Sequence, residues 1–440
     1  MLFFNSTKFT LWARNLGAIA LLLSVAACQT NTATDSTTDS PGAPAADSDA
    51  ALKLGTLFPL TGDLAQYGTT MQDTANLLVN TVNACDGVLG QPVQLVSEDD
   101  QTDPAAGASG MTKLAEVDRV AGVVGAAGSA VSSAAVDIAV RNKVVQISPS
   151  STSPTFTDRA ANGDFQGYWA RTAPPDTFQG DALAQLAREQ GINSVAVLAI
   201  NNDYGNGLVQ AFIPAFKELG GTVVNESNPT KYAENATTFD SELSAAFGGD
   251  PDAVLIVAYL ETGSLILQGA YEQGLLDGDT KVLLTDGMKS AEIAEKAGRT
   301  PDGTLIAAGV IGTAPSSEGG PALGDFRTLY QQQFNREPNV YDPNTWDAAA
   351  VMVLAAEAAK STTGEAMQSK LMEVSNAPGQ EVSDVCEALR LVREGTDINY
   401  QGASGTVEFN EQGDVVGAYD VWTITDEGEL ELTSVINVGD

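Results

Sequence analysis

The chain has 440 residues, 57 of them Asp or Glu against 22 Lys and Arg, for a net charge of −35, and it contains no histidine. The charge makes nucleic acid and anionic lipid surfaces poor partners, and the missing histidine removes Ser-His-Asp and Cys-His catalysis, histidine zinc sites and the usual general base near neutral pH. No catalytic residue, cofactor or metal is therefore expected, and the acidity itself fits a saline habitat and plain solubility equally well.

An apolar run from Leu16 to Ala27 follows a stretch charged only at Lys8 and Arg14, and it ends in Val25-Ala26-Ala27-Cys28. This is the pattern of a secretory signal, and it falls short of the ~20 apolar residues that a membrane span needs. Val25 to Cys28 resembles the bacterial lipobox. That resemblance implies removal of residues 1–27 and acylation of Cys28, which would anchor an exported, periplasmic or cell-surface protein to a membrane; an ordinary signal with an incidental cysteine is the alternative. Gln29 to Ala51 is almost wholly Thr, Ser, Asp, Ala, Pro, Gly and Asn, so residues 28–51 read as a flexible tether.

From Leu52 onward the length calls for two domains. Leu52–Leu60, Val93–Ser97, Arg119–Gly125 and Val144–Ile147 read as strands, with helices predicted at Met71–Asn83, Ala105–Val117 and Val131–Val140 between them. Trp169–Asp176, with Pro174-Pro175, reads as a crossing strand or hinge. A second set follows: strand Ser194–Ile200, helix Leu208–Leu219, strand Thr222–Glu226, helix Phe239–Phe247, strand Ala253–Ala258, helix Ser264–Gln273 and strand Lys281–Thr285. The α/β pattern is laid down twice, each time as a parallel sheet. Apart from Cys28 the cysteines are Cys85 and Cys386, an even number in an oxidising compartment; they are expected to pair, two separate buried thiols being the alternative.

Ligands of open parallel sheets bind off the carboxyl ends of the strands. Pro59 to Gly68 and Asn201 to Gly207 follow the first strand of each set, and each places Tyr-Gly at a helix start; helix caps and turns would account for either loop alone. Gly125 to Ser133 puts glycine and serine at a helix N-terminus, a place attractive to an anion. It lacks the lysine of a nucleotide loop, so a single carboxylate suits it better, and close helix packing is the alternative. Ser148 to Pro154 is a row of hydroxyls between prolines. The adjacent Asp99 and Asp100 would point to opposite faces of a strand, which argues against their acting as a pair of catalytic carboxylates.

Six segments taken in order, Phe58–Gly62, Glu98–Pro104, Gly125–Ser129, Ser148–Pro154, Asp203–Gly205 and Ile398–Gly405, resemble the extracellular solute-binding proteins of branched-chain and neutral amino-acid ABC importers. The resemblance implies two Rossmann-like lobes joined by three crossings near Ala173, Gly312 and Val415, with lobe one at 52–172 plus 313–414 and lobe two at 173–312 plus 415–440. It implies a monomer that closes on a neutral or aliphatic amino acid without chemistry and passes it to a membrane permease driven by a separate ATPase subunit. Ser129, Ser150 and Thr152 would hold the ligand's carboxylate, Asp286 its ammonium, and Tyr67, Tyr204 and Tyr259 would wall the site; as the bland alternative, Asp286 would merely cap the next helix. A binder of amides, urea or short peptides, or a sensor serving a membrane receptor, would share these features.

Overall fold

The computed structural model describes residues 51–438; the signal sequence, most of the tether and the lipidation expected at Cys28 lie outside them. The first lobe is built on β1 (Lys53–Phe58), β2 (Gln94–Asp99), β3 (Gly122–Gly125), β4 (Val145–Ser148) and β5 (Trp169–Arg171), all parallel and ordered β2-β1-β3-β4-β5. Parallel neighbours need crossover connections. These are α1 (Ala65–Ala84), α2 (Pro104–Thr112), which runs on as a wider turn to Asp118, α3 (Ser129–Arg141) and α4 (Thr155–Ala161). At α2 the Asp103 side chain accepts the Ala106 N–H and Pro104 occupies the first turn, where a missing N–H costs nothing.

The second lobe begins with α5 (Asp176–Glu189), a helix not expected from the sequence, which starts at the last residue of the crossing segment Trp169–Asp176. It continues through β6 (Ser194–Ile200), α6 (Asp203–Glu218), β7 (Thr222–Val223), β8 (Thr230–Tyr232), α7 (Asp240–Phe247), β9 (Ala253–Val257), α8 (Leu260–Glu272), β10 (Lys281–Leu284), α9 (Ile293–Lys296) and β11 (Ile311–Pro315). Ala253 to Val257 is fully buried, as a strand covered on both faces must be. The strand expected over Thr222–Glu226 stops at Val223; β7 pairs with the start of β6, and a separate β8 pairs with its end.

The chain then returns to the first lobe as α10 (Leu323–Phe334), α11 (Asp342–Ala359), α12 (Gly364–Gln368), α13 (Leu371–Ser375), β12 (Gln380–Val382), α14 (Val385–Arg393) and β13 (Ile398–Tyr400), the two strands forming a small parallel pair. α11 is buried from Asn344 to Glu357 and packs on α1, β3 and β4, which makes it the core helix of that lobe. Cys85, at the end of α1, is disulfide-bonded to Cys386 in α14, their Cα atoms 5.8 Å apart. Finally β14 (Tyr419–Ile424) and β15 (Leu430–Ile436) close the second sheet, antiparallel to β11 and to each other, in the order β15-β14-β11-β10-β9-β6-β7.

Thus the chain passes between the sheets three times: between Arg171 and Asp176, after Pro315, and between Asp414 and Tyr419. β11 keeps Thr313 to Pro315 in the second sheet through pairing with β14, so the middle passage comes later than the one expected near Gly312. The passages are tied to each other. Arg171 N–H donates to Gly413 C=O at 2.9 Å and Ser316 N–H to Ala418 C=O at 2.9 Å, while Thr172 and Asn344 exchange two hydrogen bonds of 2.8 and 2.7 Å.

Candidate functional site

The carboxyl ends of the strands carry the loops that line a cleft between the lobes. Asp99 shapes the first of them: its Oδ1 accepts from Leu60 N at 2.9 Å, Thr61 N at 3.2 Å and Gln101 N at 2.9 Å, and its Oδ2 from Thr61 Oγ1 at 2.8 Å. Asp100 points into the core instead and is fully buried. The acidic pair therefore builds a turn. The repeated Tyr-Gly has a common cause: a Cβ on Gly68 would lie 2.1 Å from Pro59 C=O, and one on Gly205 2.0 Å from Ile200 C=O. Only glycine lets each helix start this close to the preceding strand end, and each time the tyrosine before it faces the cleft.

Two further loops of the first lobe interlock. Ser148 Oγ donates to Ala126 C=O at 2.6 Å, Ser150 Oγ to Ala127 C=O at 3.0 Å, and Ser129 Oγ accepts from Ser153 N at 3.3 Å. Arg171 braces them from below, donating to the carbonyls of Ser151 and Ser153 at 3.1 and 2.9 Å while pairing with Asp414 at 2.6 Å in full burial. Ser129 and Ser150 line the cleft, and Ser129 opens α3, whose first N–H groups and dipole favour an anion. Thr152 does not line it. Its Oγ1 is buried without a hydrogen bond among the described residues, and its carbonyl accepts the Asp176 N–H at 2.8 Å.

The second lobe supplies Tyr204, Tyr259 and Asp286. The two rings stack at 5.6 Å with planes 11° apart. Asp286 is buried after β10, and Tyr204 Oη donates to its Oδ1 at 2.7 Å and Tyr341 Oη to its Oδ2 at 2.6 Å. Tyr67 Oη reaches across from the first lobe to the carbonyls of Asp286 and Lys289, 3.2 Å from each. Burial pushes the Asp286 carboxyl up, and the Tyr341 and Tyr204 hydrogen bonds pull it back toward the charged form. Burial, then the negative charge of Asp286, hold Asp176 well above the ordinary carboxylate range. Among the described residues neither carboxylate oxygen of Asp176 has a hydrogen-bond partner, nor has Gln179 Oε1 one turn on. A pair of buried carboxylates thus stands at the second lobe's edge of the cleft, with a cation as its natural complement.

The cleft is narrow, with a cavity volume of about 30 Å³ between its walls. Ser129, Ser150 and Asp286 supply its polar groups, Leu64 and Met71 an apolar end, and Tyr67, Tyr204, Tyr259 and Tyr341 its walls; no Lys or Arg lines it. Of the seven predicted ligand residues six meet here and Thr152 stands apart. Tyr341 and Asp176 were missed. Both sit at helix starts beside proline, Pro175-Asp176 and Tyr341-Asp342-Pro343, and that position was the available signal. The tail motif is structural: Asp347 accepts from Ala403 N and Ser404 N at 2.7 Å each and from Ser404 Oγ at 2.6 Å, which fixes the tail beside the middle passage.

The family model described as "Receptor family ligand binding region" matches residues 70–427. Among curated proteins, a "Leu/Ile/Val-binding protein homolog 2" from Brucella abortus is 30% identical over 316 residues, 70% of this chain and 79% of its own. The "Chemotactic signal transduction system substrate-binding protein BasB" of Halobacterium salinarum is 25% identical over 393 residues, 88% of this chain and 90% of its own. Among solved structures, a leucine-binding protein LivK from Thermotoga maritima superposes with a TM-score of 0.73 at 25% identity, covering 88% of this chain and 99% of its own. A solute-binding protein of an ABC transporter from R. palustris, solved with benzoate, gives 0.70 at 17% identity over 89% of this chain and 98% of its own.

Proposed function

The chain belongs to the receptor family ligand binding region, as a type I periplasmic binding protein of the branched-chain amino-acid group, and on that premise we propose that it captures a branched-chain or other neutral amino acid between its lobes and delivers it to the permease of an ABC importer. Asp286 carries the reading. It is the one charged group lining a cleft that has no Lys or Arg, so the site suits a ligand with an ammonium group and an uncharged side chain. Ser150 and the amides at the start of α3 beside Ser129 receive the carboxylate. Thr152, tied to Asp176, supports the floor, and Leu64 and Met71 face an aliphatic side chain. Tyr67, Tyr204 and Tyr259 enclose the ligand with large rings that keep a polar handle.

Binding proceeds by closure. The ligand docks on the first lobe's loops, and the second lobe brings Tyr204, Tyr259 and Asp286 onto it, the movement being absorbed at the three passages. Residues 1–27 serve export, Cys28 carries the lipid, and the tether leaves the trap free to reach a permease whose energy comes from a separate ATPase. The name of the Halobacterium salinarum relative favours a second reading, in which the closed form signals to a membrane receptor.

Thermal unfolding against single amino acids, with urea, short amides and benzoate alongside, tests the ligand. A ligand at a hundredfold its Kd adds about 2.7 kcal/mol, enough to raise Tm by several degrees. Leucine, isoleucine or valine should raise Tm, and Asp286→Ala should abolish the rise. A rise with benzoate or amides alone keeps the fold and overturns the ligand.

A further inference from the structure

A second cavity, of about 130 Å³, lies beside the passage that follows β11. It adjoins the ligand cleft: Lys289, which follows Asp286 closely in the chain, and Val340, which precedes Tyr341, both line it. No Asp or Glu lines it, although the chain carries a net charge of −35 and four other clefts each hold at least one carboxylate. Its charged groups are Lys289 and Arg327, set among the hydroxyls and amides of Ser316, Ser317, Asn339 and Ser404.

Neither cation is fully matched. The Lys289 side chain is 8% exposed, and its Nζ lies 3.0 Å from Asp420 Oδ2, its sole acceptor among the described residues. That carboxylate is shared, since it also accepts from Ser317 N at 2.9 Å, Ser317 Oγ at 2.7 Å and Ser316 Oγ at 2.8 Å. An ammonium has three donors, so two remain unused at the cavity wall. The Arg327 guanidinium, exposed to solvent at the cavity mouth, donates to Ser317 C=O at 3.1 Å and makes no ion pair among the described residues. Asp420 neutralises the ammonium one to one, but its oxygens are shared with three donors of Ser316 and Ser317, so an oxyanion entering the cavity meets the two spare ammonium hydrogens and the Arg327 guanidinium.

We propose that this cavity is a second ligand site, taking a small oxyanion. Its walls come from both lobes, Lys289 from the second, Asn339 and Ser404 from the first, with Ser316 and Ser317 in the passage between them. An anion seated there bridges the lobes and favours the closed arrangement. By linkage it raises affinity for the ligand of the main cleft, and that ligand raises affinity for the anion by the same factor. The coupling rests on the amino-acid reading above, whereas the anion site itself does not.

The test titrates succinate, acetate and inorganic phosphate separately into the purified protein by calorimetry at constant ionic strength, first without and then with saturating isoleucine. At least one of the carboxylates or phosphate should bind with one site per chain, isoleucine should tighten that binding at least threefold, and Arg327→Gln should weaken it about tenfold. Lys289→Gln should abolish it, with circular dichroism to check that the variant is folded. Which probe binds identifies the oxyanion as organic or inorganic. The proposal is overturned if none of the three binds, if binding is indifferent to Arg327→Gln, or if the anion competes with isoleucine and so occupies the main cleft. If isoleucine gives no heat while the anion still binds and Arg327→Gln still weakens it, the amino-acid reading fails and the anion site stands.

Discussion

Tyr341 of the first lobe and Asp286 of the second meet at 2.6 Å, phenol oxygen to carboxylate Oδ2, although they arrive at the cleft from opposite sides. The bond orients the carboxylate and links the lobes at once. Hydrogen bonds to charged groups contribute about 1.5–3 kcal/mol. Tyr341→Phe keeps the ring that meets Tyr67 edge-on at 6.1 Å and removes only the hydroxyl. It should weaken amino-acid binding about tenfold while Tm without ligand moves little. An unchanged Kd would remove Tyr341 from the site.

The two carboxylates beside the cleft predict proton release on binding. Burial and Asp286 raise Asp176, and burial raises Asp286, so the empty cleft retains a proton that both groups would lose separately in water. An ammonium ligand favours the charged forms and expels it. Affinity should therefore increase as pH rises through the range in which the empty pair loses that proton. Calorimetry in two buffers of different ionisation enthalpy at one pH should register the release, and Asp176→Asn should suppress it. Identical enthalpies in both buffers for the wild-type chain would rule the coupling out.

Strands buried on both faces were the most legible elements, because a run such as Ala253 to Val257 has one comfortable environment. Thr222–Glu226 was overextended because β propensity says nothing about whether a neighbour is free to pair, and β6 takes β7 and β8 in turn. The passage near Gly312 was misplaced for the same reason, since β14, distant in sequence, keeps Pro315 in the sheet. In the cleft, Tyr67 and Tyr204 were visible through the glycines that follow them. Thr152 is implied as a ligand contact by the family resemblance alone, but of the two residues only Ser150 lines the cavity. Tyr341 carries no local mark of its partner, which comes from the other lobe.

Asp100 predicts a pH-dependent stability. It is buried, its Oδ2 has no partner among the described residues, and burial, with the nearby Asp99 and Asp103 charges, pushes it up to about 7 against the Thr102 N–H that favours the charged form. A carboxyl raised on folding binds its proton more tightly in the folded state, so stability falls as pH rises from the unfolded value of 3.8 toward about 7 and stays low above it. At 1.36 kcal/mol per unit the ceiling is about 4 kcal/mol. Urea unfolding at pH 5 and pH 8 should show Asp100→Asn closing much of that difference, with its gain at pH 8. An equal effect at both pH values would place the cost in packing instead of charge.

The Cys85–Cys386 bridge should matter for stability and leave binding alone. It joins the C-terminal end of α1 to α14, while Tyr67 enters the cleft from the N-terminal end of the same helix. At 1.5 Å per residue those ends are separated by roughly 27 Å, and nothing lining the cleft belongs to α14. Closing a long loop stabilises chiefly by restricting the unfolded chain, typically by about 2–4 kcal/mol. Arg393 offers a partial substitute, since its guanidinium donates to Cys85 C=O at 3.2 Å and holds α14 against the end of α1 without the bridge. A Cys85→Ser, Cys386→Ser variant should therefore remain folded, unfold at lower denaturant by an amount within that range, and bind its amino acid with a Kd within about twofold of the parent. A loss of affinity beyond that would show that the far end of α1 reaches the cleft, and an unshifted denaturation midpoint would show that Arg393 and the surrounding core already supply what the bridge was assigned.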